Sequence, residues 1–345
     1  MKMSSQAVAW IEKVLSGNHL AQQESESMLR AMGAGELPAP LAGGLLAALR
    51  AKGEVAAEIR GAATAMRDLA VRPDLPAGQP WVDIVGTGGD GSASLNLSTG
   101  SALLAAACGA KVVKHGNRSI SSRSGSADAL MALGLPVPLV DRQIGDCLRD
   151  TGFTFLFAPN HHPAMRNIGP VRAALGVRTM FNILGPLTNP ARPPFNVIGA
   201  FSEPMAELMA ETLAGLEATR SFVVHGACGW DEPTPIGPFI CFDVRPGSVT
   251  RVVRDPVDYG LSRCTEDDLK GGEPEENAAR LRAALCGGDT LAHREALMLG
   301  AALALEVTGA ASDAGSAVAR ARSALEDGTG RQFVERLAAF ASSAG

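Results

Sequence analysis

The sequence predicts an α/β protein in two parts: a small all-helical N-terminal domain, then a larger domain on a mainly parallel sheet covered by helices. Three observations predict this. Helical spacing runs without strands from Ser5 to Ala70, a proline-rich break follows, and after it short apolar runs alternate with helical patterns.

In the first part Val8, Ile11 and Leu15 recur at helical spacing, as do Leu41, Leu45 and Leu49, so about four helices are expected. Pro73, Pro76 and Pro80 then remove backbone donors and forbid helix, which places a domain boundary between residues 72 and 80. Beyond it, residues 81–85, 111–113, 153–157, 196–200 and 222–224 read as strands. Ligands of such sheets sit beyond the C-terminal strand ends, and the motifs below all fall there.

Composition narrows the function. The length of 345 residues suits about two domains, and 46% apolar residues suffice for a core. A net charge of -5 argues against broad binding to nucleic acid or anionic membrane, both of which need a basic face. The six cysteines form no CxxC pair and read as buried thiols of a reducing compartment. Glu12 and Lys13 interrupt the first apolar stripe and no run approaches the ~20 residues of a membrane span, so a cytoplasmic protein without membrane association is expected.

Three devices suited to phosphate follow one another after the break. In Gly86-Thr87-Gly88-Gly89-Asp90-Gly91 the glycines let backbone N–H groups approach anionic oxygens. The spacing matches a dinucleotide fingerprint, but no helix opens directly and Lys111 and Lys114 stand where an acidic residue about 20 positions on would be needed. Asn96, Ser98 and Thr99 suit the start of a small apolar helix over residues 100–108, whose N-terminus would face the same space. The cluster Lys114-His115-Gly116-Asn117-Arg118, with Ser119, Ser121, Ser122, Ser124 and Ser126 behind it, reads as a loop able to hold a second anionic group.

Two later segments complete the inventory. His161 and His162 are adjacent, so their side chains diverge and zinc binding is not expected; of Arg166, Arg172 and Arg178, one could clamp a carboxylate and the others read as surface or domain-bridging. Asp231 and Glu232 follow the strand at 222–224 on a glycine-flanked loop. Opposite a phosphate pocket such a pair is a natural Mg²⁺ anchor, because Mg²⁺ keeps waters and needs one or two carboxylates plus substrate phosphates.

The series GTGGD at 86–90, NLST at 96–99, KHGNR at 114–118, the Arg172 segment with FNILGPLTNP at 181–190, and Asp231-Glu232 resembles the anthranilate phosphoribosyltransferases. The resemblance implies a phosphoribosyltransferase-like fold shared with nucleoside phosphorylases, with a helical domain of residues 1–72 completed by a segment around 163–186 and an α/β domain over 80–345. It implies Mg²⁺-dependent transfer of phosphoribosyl from phosphoribosyl diphosphate (PRPP) to the amine of anthranilate, in tryptophan biosynthesis, by a homodimer joined through the helical domain. By the same token Gly86, Thr87, Gly88, Gly89, Asp90, Asn96, Ser98, Thr99, Lys114, Ser119 and Ser126 would receive PRPP. Asn117, His115, Ala158, Arg172 and Gly185 would line the anthranilate side, and Ser98, Asp231 and Glu232 would engage the metal. His115 is the one side chain considered for general base help. Trp230 and Pro233, flanking the acidic pair, depart from the family's commoner residues. The same fold also leaves room for a pyrimidine nucleoside phosphorylase or a nucleic-acid-binding relative; the acidic charge and the retained acidic pair speak against the second.

Overall fold

Four helices open the structure, a computed structural model that describes residues 2–76, 80–118, 123–140 and 142–344. They are α1 (Lys2–Leu15), α2 (Gln22–Ala34), α3 (Ala39–Lys52) and α4 (Ala56–Asp68). On α3 the buried stripe is Leu45, Leu46 and Leu49, but on α1 it is Ala7, Trp10 and Val14 rather than the expected Val8, Ile11 and Leu15, because the large Trp10 ring directs that face inward and leaves Val8 and Leu15 exposed. Ser119, Ser121 and Ser122 lie outside the described residues, as do 77–79 of the predicted linker.

Seven strands follow: β1 (Val82–Gly86), β2 (Val112–Gly116), β3 (Phe153–Phe157), β4 (Phe195–Gly199), β5 (Arg220–His225), β6 (Phe239–Arg245) and β7 (Ser248–Arg254). Their order is β3-β2-β1-β4-β5-β6-β7. The first five are parallel, and β6 and β7 add an antiparallel hairpin to one edge. That hairpin is absent from the sequence reading, although Pro246-Gly247 marks its turn.

The covering helices are α5 (Leu97–Ala107), α6 (Ser126–Ala132), α7 (Arg142–Thr151), α8 (Ala158–His161), α9 (Met165–Leu175), α10 (Phe181–Leu187), α11 (Glu203–Ala214), α12 (Pro274–Leu285), α13 (Leu291–Val307), α14 (Ala314–Glu326) and α15 (Thr329–Ala344). They pack two cores. One joins α5, α13 and their neighbours to one face of the sheet, through Val112, Phe153, Phe155 and Phe222. The other unites α1–α4 with Ile168, Phe181, Leu184 and Leu187 of the mid-chain segment, and continues through α11 to Ile198, Val223 and Phe242 on the other face. No helix among the described residues is long and apolar enough to cross a membrane.

Three local expectations need correction. Helix α5 starts at Leu97 rather than Gly100, so Ser98 and Thr99 belong to its first turn. Strand β2 continues through Lys114, His115 and Gly116, which the sequence reading put in a loop; the Lys114 ammonium is accommodated inside by buried acids that no local pattern reveals. Cys108, Cys147 and Cys241 are buried and all six thiols are free, but Cys228 is exposed on a tight turn with φ +59°.

Parallel pairing brings the ends of β1 and β4 together at Gly86 and Gly199. A Cβ at Gly199 would collide with the Asp231 carbonyl, so only glycine lets the 226–232 loop lie across these strand ends. Gly199→Ala is expected to destabilise the protein by about 1–3 kcal/mol through overpacking against backbone. A lowered midpoint in thermal unfolding checks this, and an unchanged midpoint contradicts it.

Candidate active site

The site is built at the C-terminal edge of the five parallel strands. After β1 the chain turns through Gly88 and Gly89, with φ +67° and +76°, a conformation that β-carbons disfavour. This turn aims the Gly88 N–H at Asp231 Oδ2, 2.5 Å away, and the Thr87 hydroxyl approaches the same oxygen at 3.5 Å. Asp90 closes the loop: its Oδ1 accepts from Ser92 N and Oγ at 3.1 and 3.0 Å, and its Oδ2 accepts from the Asp231 N–H at 3.3 Å.

The first turn of α5 faces this loop. Asn96, its N-cap residue, makes no side-chain cap bond. A distant carboxylate takes the role, because Glu232 Oε1 accepts from Ser98 N–H at 3.1 Å. The two donors best placed for a bound anion, Gly88 N–H and Ser98 N–H, are thus both held by the protein's own acidic pair. Beside them the Thr99 hydroxyl is buried with no hydrogen-bond partner among the described residues.

Electrostatics match this crowding. Burial, then the neighbouring Asp90, pushes Asp231 up to about 7. Burial, then Asp231, pushes Glu232 up to about 8. Beneath them Lys114, 1% exposed, donates to the Ile84 carbonyl and to Ser98 Oγ at 3.3 Å. Its desolvation lowers its pKa, opposed by Asp83, Glu232 and Asp231. Lys114 therefore stands under the loop as counter-ion to the acids, not on its open side. Asp83, pushed up to about 6 by burial, accepts from Asn189 Nδ2 at 2.8 Å and from the His115 N–H at 3.3 Å.

Successive residues of a strand face opposite ways, so His115 points away from Lys114, toward the helical domain. There its Nε2 meets His162 Nε2 at 3.2 Å, while His161 turns aside to bond Val71 O at 2.8 Å. Burial holds His115 well below the usual histidine range and lowers His162 to about 4, so both are neutral near pH 7, with a single proton between the facing nitrogens. The Gly185 backbone bonds His115. One turn before Gly185 on α10, the Phe181 ring lies 5.0 Å under the Arg172 guanidinium. Arg172 is half-buried, has no acidic partner among the described residues, and is desolvated enough to lower its pKa.

Among the remaining sequence candidates, Gly86 abuts the Asp231 carboxylate, and Ser126 Oγ donates to Asn117 O at 3.2 Å. Asn117 is exposed at the end of β2, and Ala158 opens α8 at the end of β3. Ser119 lies outside the described residues. Arg178, read as surface or bridging, joins the halves: its Nη2 donates to Gly89 O at 2.6 Å while its own carbonyl accepts from Arg50. Trp230 is buried and ties the acidic loop to Glu266 Oε2 at 3.3 Å. Two polar supports escape the sequence reading, Asp83 and Asn277, the latter donating to Asn96 at 2.9 Å.

A helical bundle and an α/β domain meeting around a phosphate-type loop and an acidic pair define a glycosyl-transferring enzyme. Correspondingly, residues 8–70 match the model of the glycosyl transferase family, helical bundle domain, and residues 78–331 that of the glycosyl transferase family, a/b domain. Anthranilate phosphoribosyltransferase of Methylobacterium nodulans is 44% identical, covering 96% of this chain and 98% of that one. The crystal structure of anthranilate phosphoribosyltransferase from Thermus thermophilus matches with TM-score 0.89 at 44% identity, over 96% of this chain and 99% of that one. The Saccharomyces cerevisiae enzyme in complex with PRPP and Mg matches with TM-score 0.87 at 25% identity, over 98% of each chain. The chain belongs to the anthranilate phosphoribosyltransferase family.

The acidic pair generates a pH prediction for metal-free protein. Asp231 ionises at about 7 when folded, against an ordinary 3.8. The folded state keeps a proton that the unfolded chain has released, so this group's contribution to stability falls as pH rises from about 4 to about 7. Asp231→Asn should leave the melting midpoint near the parent's at about pH 4 and raise it at about pH 8, by roughly 2–4 °C per kcal/mol gained. Melting curves across pH check this, and parallel pH profiles for the two proteins contradict it.

Proposed function

We propose that this chain transfers the phosphoribosyl group of PRPP to the amine of anthranilate, forming N-(5-phosphoribosyl)anthranilate and diphosphate, as a step of tryptophan biosynthesis. The observation that carries the reading is the convergence of the Gly88 and Ser98 N–H groups with Asp231 and Glu232 at one point. Such donors suit oxyanions, and the carboxylates beside them suit a cation that accompanies those oxyanions.

The donor set fits Mg²⁺: Asp231, Glu232 and the Ser98 hydroxyl are oxygen ligands, and the raised pKa values mark two crowded carboxylates short of positive charge. No group of three or more His, Cys, Asp or Glu that could hold a metal ion occurs among the described residues. When bound, Mg²⁺ supplies charge neutralisation for the departing diphosphate.

The chain's own groups do the rest. Diphosphate entering the loop competes with Asp231 and Glu232 for the Gly88 and Ser98 N–H groups and gains the dipole end of α5. Gly86, Thr87, Gly89, Asp90, Asn96, Thr99, Ser119 and Ser126 shape the remainder of the PRPP site, with Lys114 balancing charge from below. On the opposite face of β2, Arg172 takes the anthranilate carboxylate in a two-pronged bond, stacked on Phe181, while Asn117, Ala158 and Gly185 border the ring. An arylamine has its lone pair available without prior deprotonation, so alignment of the amine with ribose C1 is the main demand. Neutral His115, its ring engaged by His162 and the Gly185 backbone, borders the amine side without taking a proton.

The domains are taken as residues 1–72 with 163–186, and 80–345. The enzyme acts as a cytoplasmic homodimer without nucleic-acid or membrane partners. The dimer reading is supported by α1, where Val8 and Leu15 lie on one helical face 46% and 66% exposed.

Two measurements test the reading. Anthranilate fluorescence should decay when the protein, PRPP and Mg²⁺ are all present and persist when one is omitted; persistence with folded protein and all components rejects the activity. Arg172→Ala should raise KM for anthranilate on the order of 10- to 100-fold, the value of a charged hydrogen-bonded pair, with much less effect on KM for PRPP. Equal effects on the two substrates remove Arg172 from the carboxylate.

A further inference from the structure

Asn277 lies 181 residues from Asn96 in sequence, yet the two amides touch. It sits in the first turn of α12, 1% exposed, and belongs to none of the motifs that mark the site. Its contacts form a directed chain. The Gly272 N–H donates to Asn277 Oδ1 at 2.7 Å, Asn277 Nδ2 donates to Asn96 Oδ1 at 2.9 Å, and Asn96 Nδ2 donates to the Ser124 carbonyl at 3.0 Å. The Ser124 hydroxyl adds a second bond to Asn96 Oδ1 at 3.0 Å.

An amide side chain can ordinarily flip, exchanging donor and acceptor. Here it cannot flip without loss. The chain starts at a backbone N–H, which only donates, and ends at a backbone carbonyl, which only accepts, so both amides between them have one orientation that satisfies every group. Asn96 is thereby held with its oxygen toward Asn277 and the Ser124 hydroxyl and its N–H₂ toward the Ser124 carbonyl, and the direction of the second N–H is fixed by the same planar geometry. The approach to Asn96 is held by the same region: Leu95 N–H donates to Leu269 O at 3.0 Å and Gly271 N–H to Ala93 O at 2.9 Å, with Ser94 bridging Lys270.

We infer that Asn277 is a positioning residue for PRPP: from a distant helix it fixes the Asn96 amide as a donor toward the phosphorylated substrate. The inference rests on Asn96 being a PRPP ligand, as the proposed function has it. An anion meeting a flipped Asn96 would face an oxygen where it needs an N–H, so loss of Asn277 acts on PRPP and not on anthranilate.

The test compares Asn277→Asp with Asn96→Ala and the double variant, measuring KM for each substrate, kcat and the melting midpoint. The aspartate keeps an acceptor for Gly272 but sets an oxygen against Asn96 Oδ1. The expected result is a KM for PRPP raised roughly tenfold or more by either single change, as for a misdirected buried hydrogen bond. KM for anthranilate stays near the parent's, and Asn277→Asp adds no further loss in the Asn96→Ala background. Asn277→Ala, which introduces no charge, makes the same comparison if the aspartate variant does not fold. The inference is overturned if the two effects on PRPP add, or if Asn277 changes shift kcat and both KM values together, as a merely structural role would. If Asn96→Ala leaves KM for PRPP unchanged while turnover of anthranilate persists, the assignment of Asn96 fails and this inference fails with it, but the activity stands.

Discussion

A buried ammonium holds the site together. Lys114 Nζ lies below the glycine loop, bonded to Ile84 O and Ser98 Oγ, in the field of Asp83, Asp231 and Glu232. Three carboxylates in so little space repel one another, and each loses hydration that only a nearby positive charge or hydrogen-bond donors can replace. Lys114 supplies the charge; Gly88, Ser98, Asn189 and the His115 backbone supply the donors. The loop after β1 and the nearby start of α5 are brought to one point with the loop after β5, 143 and 134 residues further on.

The parallel sheet makes that possible. It sets the strand ends side by side, and side chains alternate along β2: Lys114 faces Ser98 and the acidic pair, and His115, one residue on, faces the helical domain with His162 and Gly185. Arg178 then ties the loop to the helical half through Gly89, and Arg50 ties back to Arg178. The two regions differ in chemistry, one rich in donors and acids and the other built of neutral rings and a stacked guanidinium. Along β2 they lie one residue apart, at Lys114 and His115.

Much of this was legible in the residues. Helical spacing in the first part, the proline break and the apolar runs mark the two-part architecture, although α1 buries Ala7, Trp10 and Val14 and leaves Val8 and Leu15 exposed; the Gly86 loop, Asn96 turn and Asp231-Glu232 pair stand out as site candidates because glycine, cap and acid types carry local chemistry. What was not legible depends on long-range contact. A lysine next to Val113 reads as the end of a strand unless buried acids are known to await it. Glu232 capping a helix 134 residues away has no sequence signature. Asn277 looks like any polar residue in the first turn of a helix. The hairpin of β6 and β7 was missed for another reason: its exposed outer strand carries Arg251 and Arg254, which dilute the apolar pattern that marks the buried strands.

In the proposed reaction Gly88 N–H and Ser98 N–H, held by Asp231 and Glu232 in the free protein, are the donors that receive the substrate's diphosphate. Protein labelled with ¹⁵N at glycine and serine, titrated with PRPP and Mg²⁺, tests it most directly through the amide signals of those two residues. Both signals should move in step with binding. PRPP binding that leaves both in place would contradict the claim.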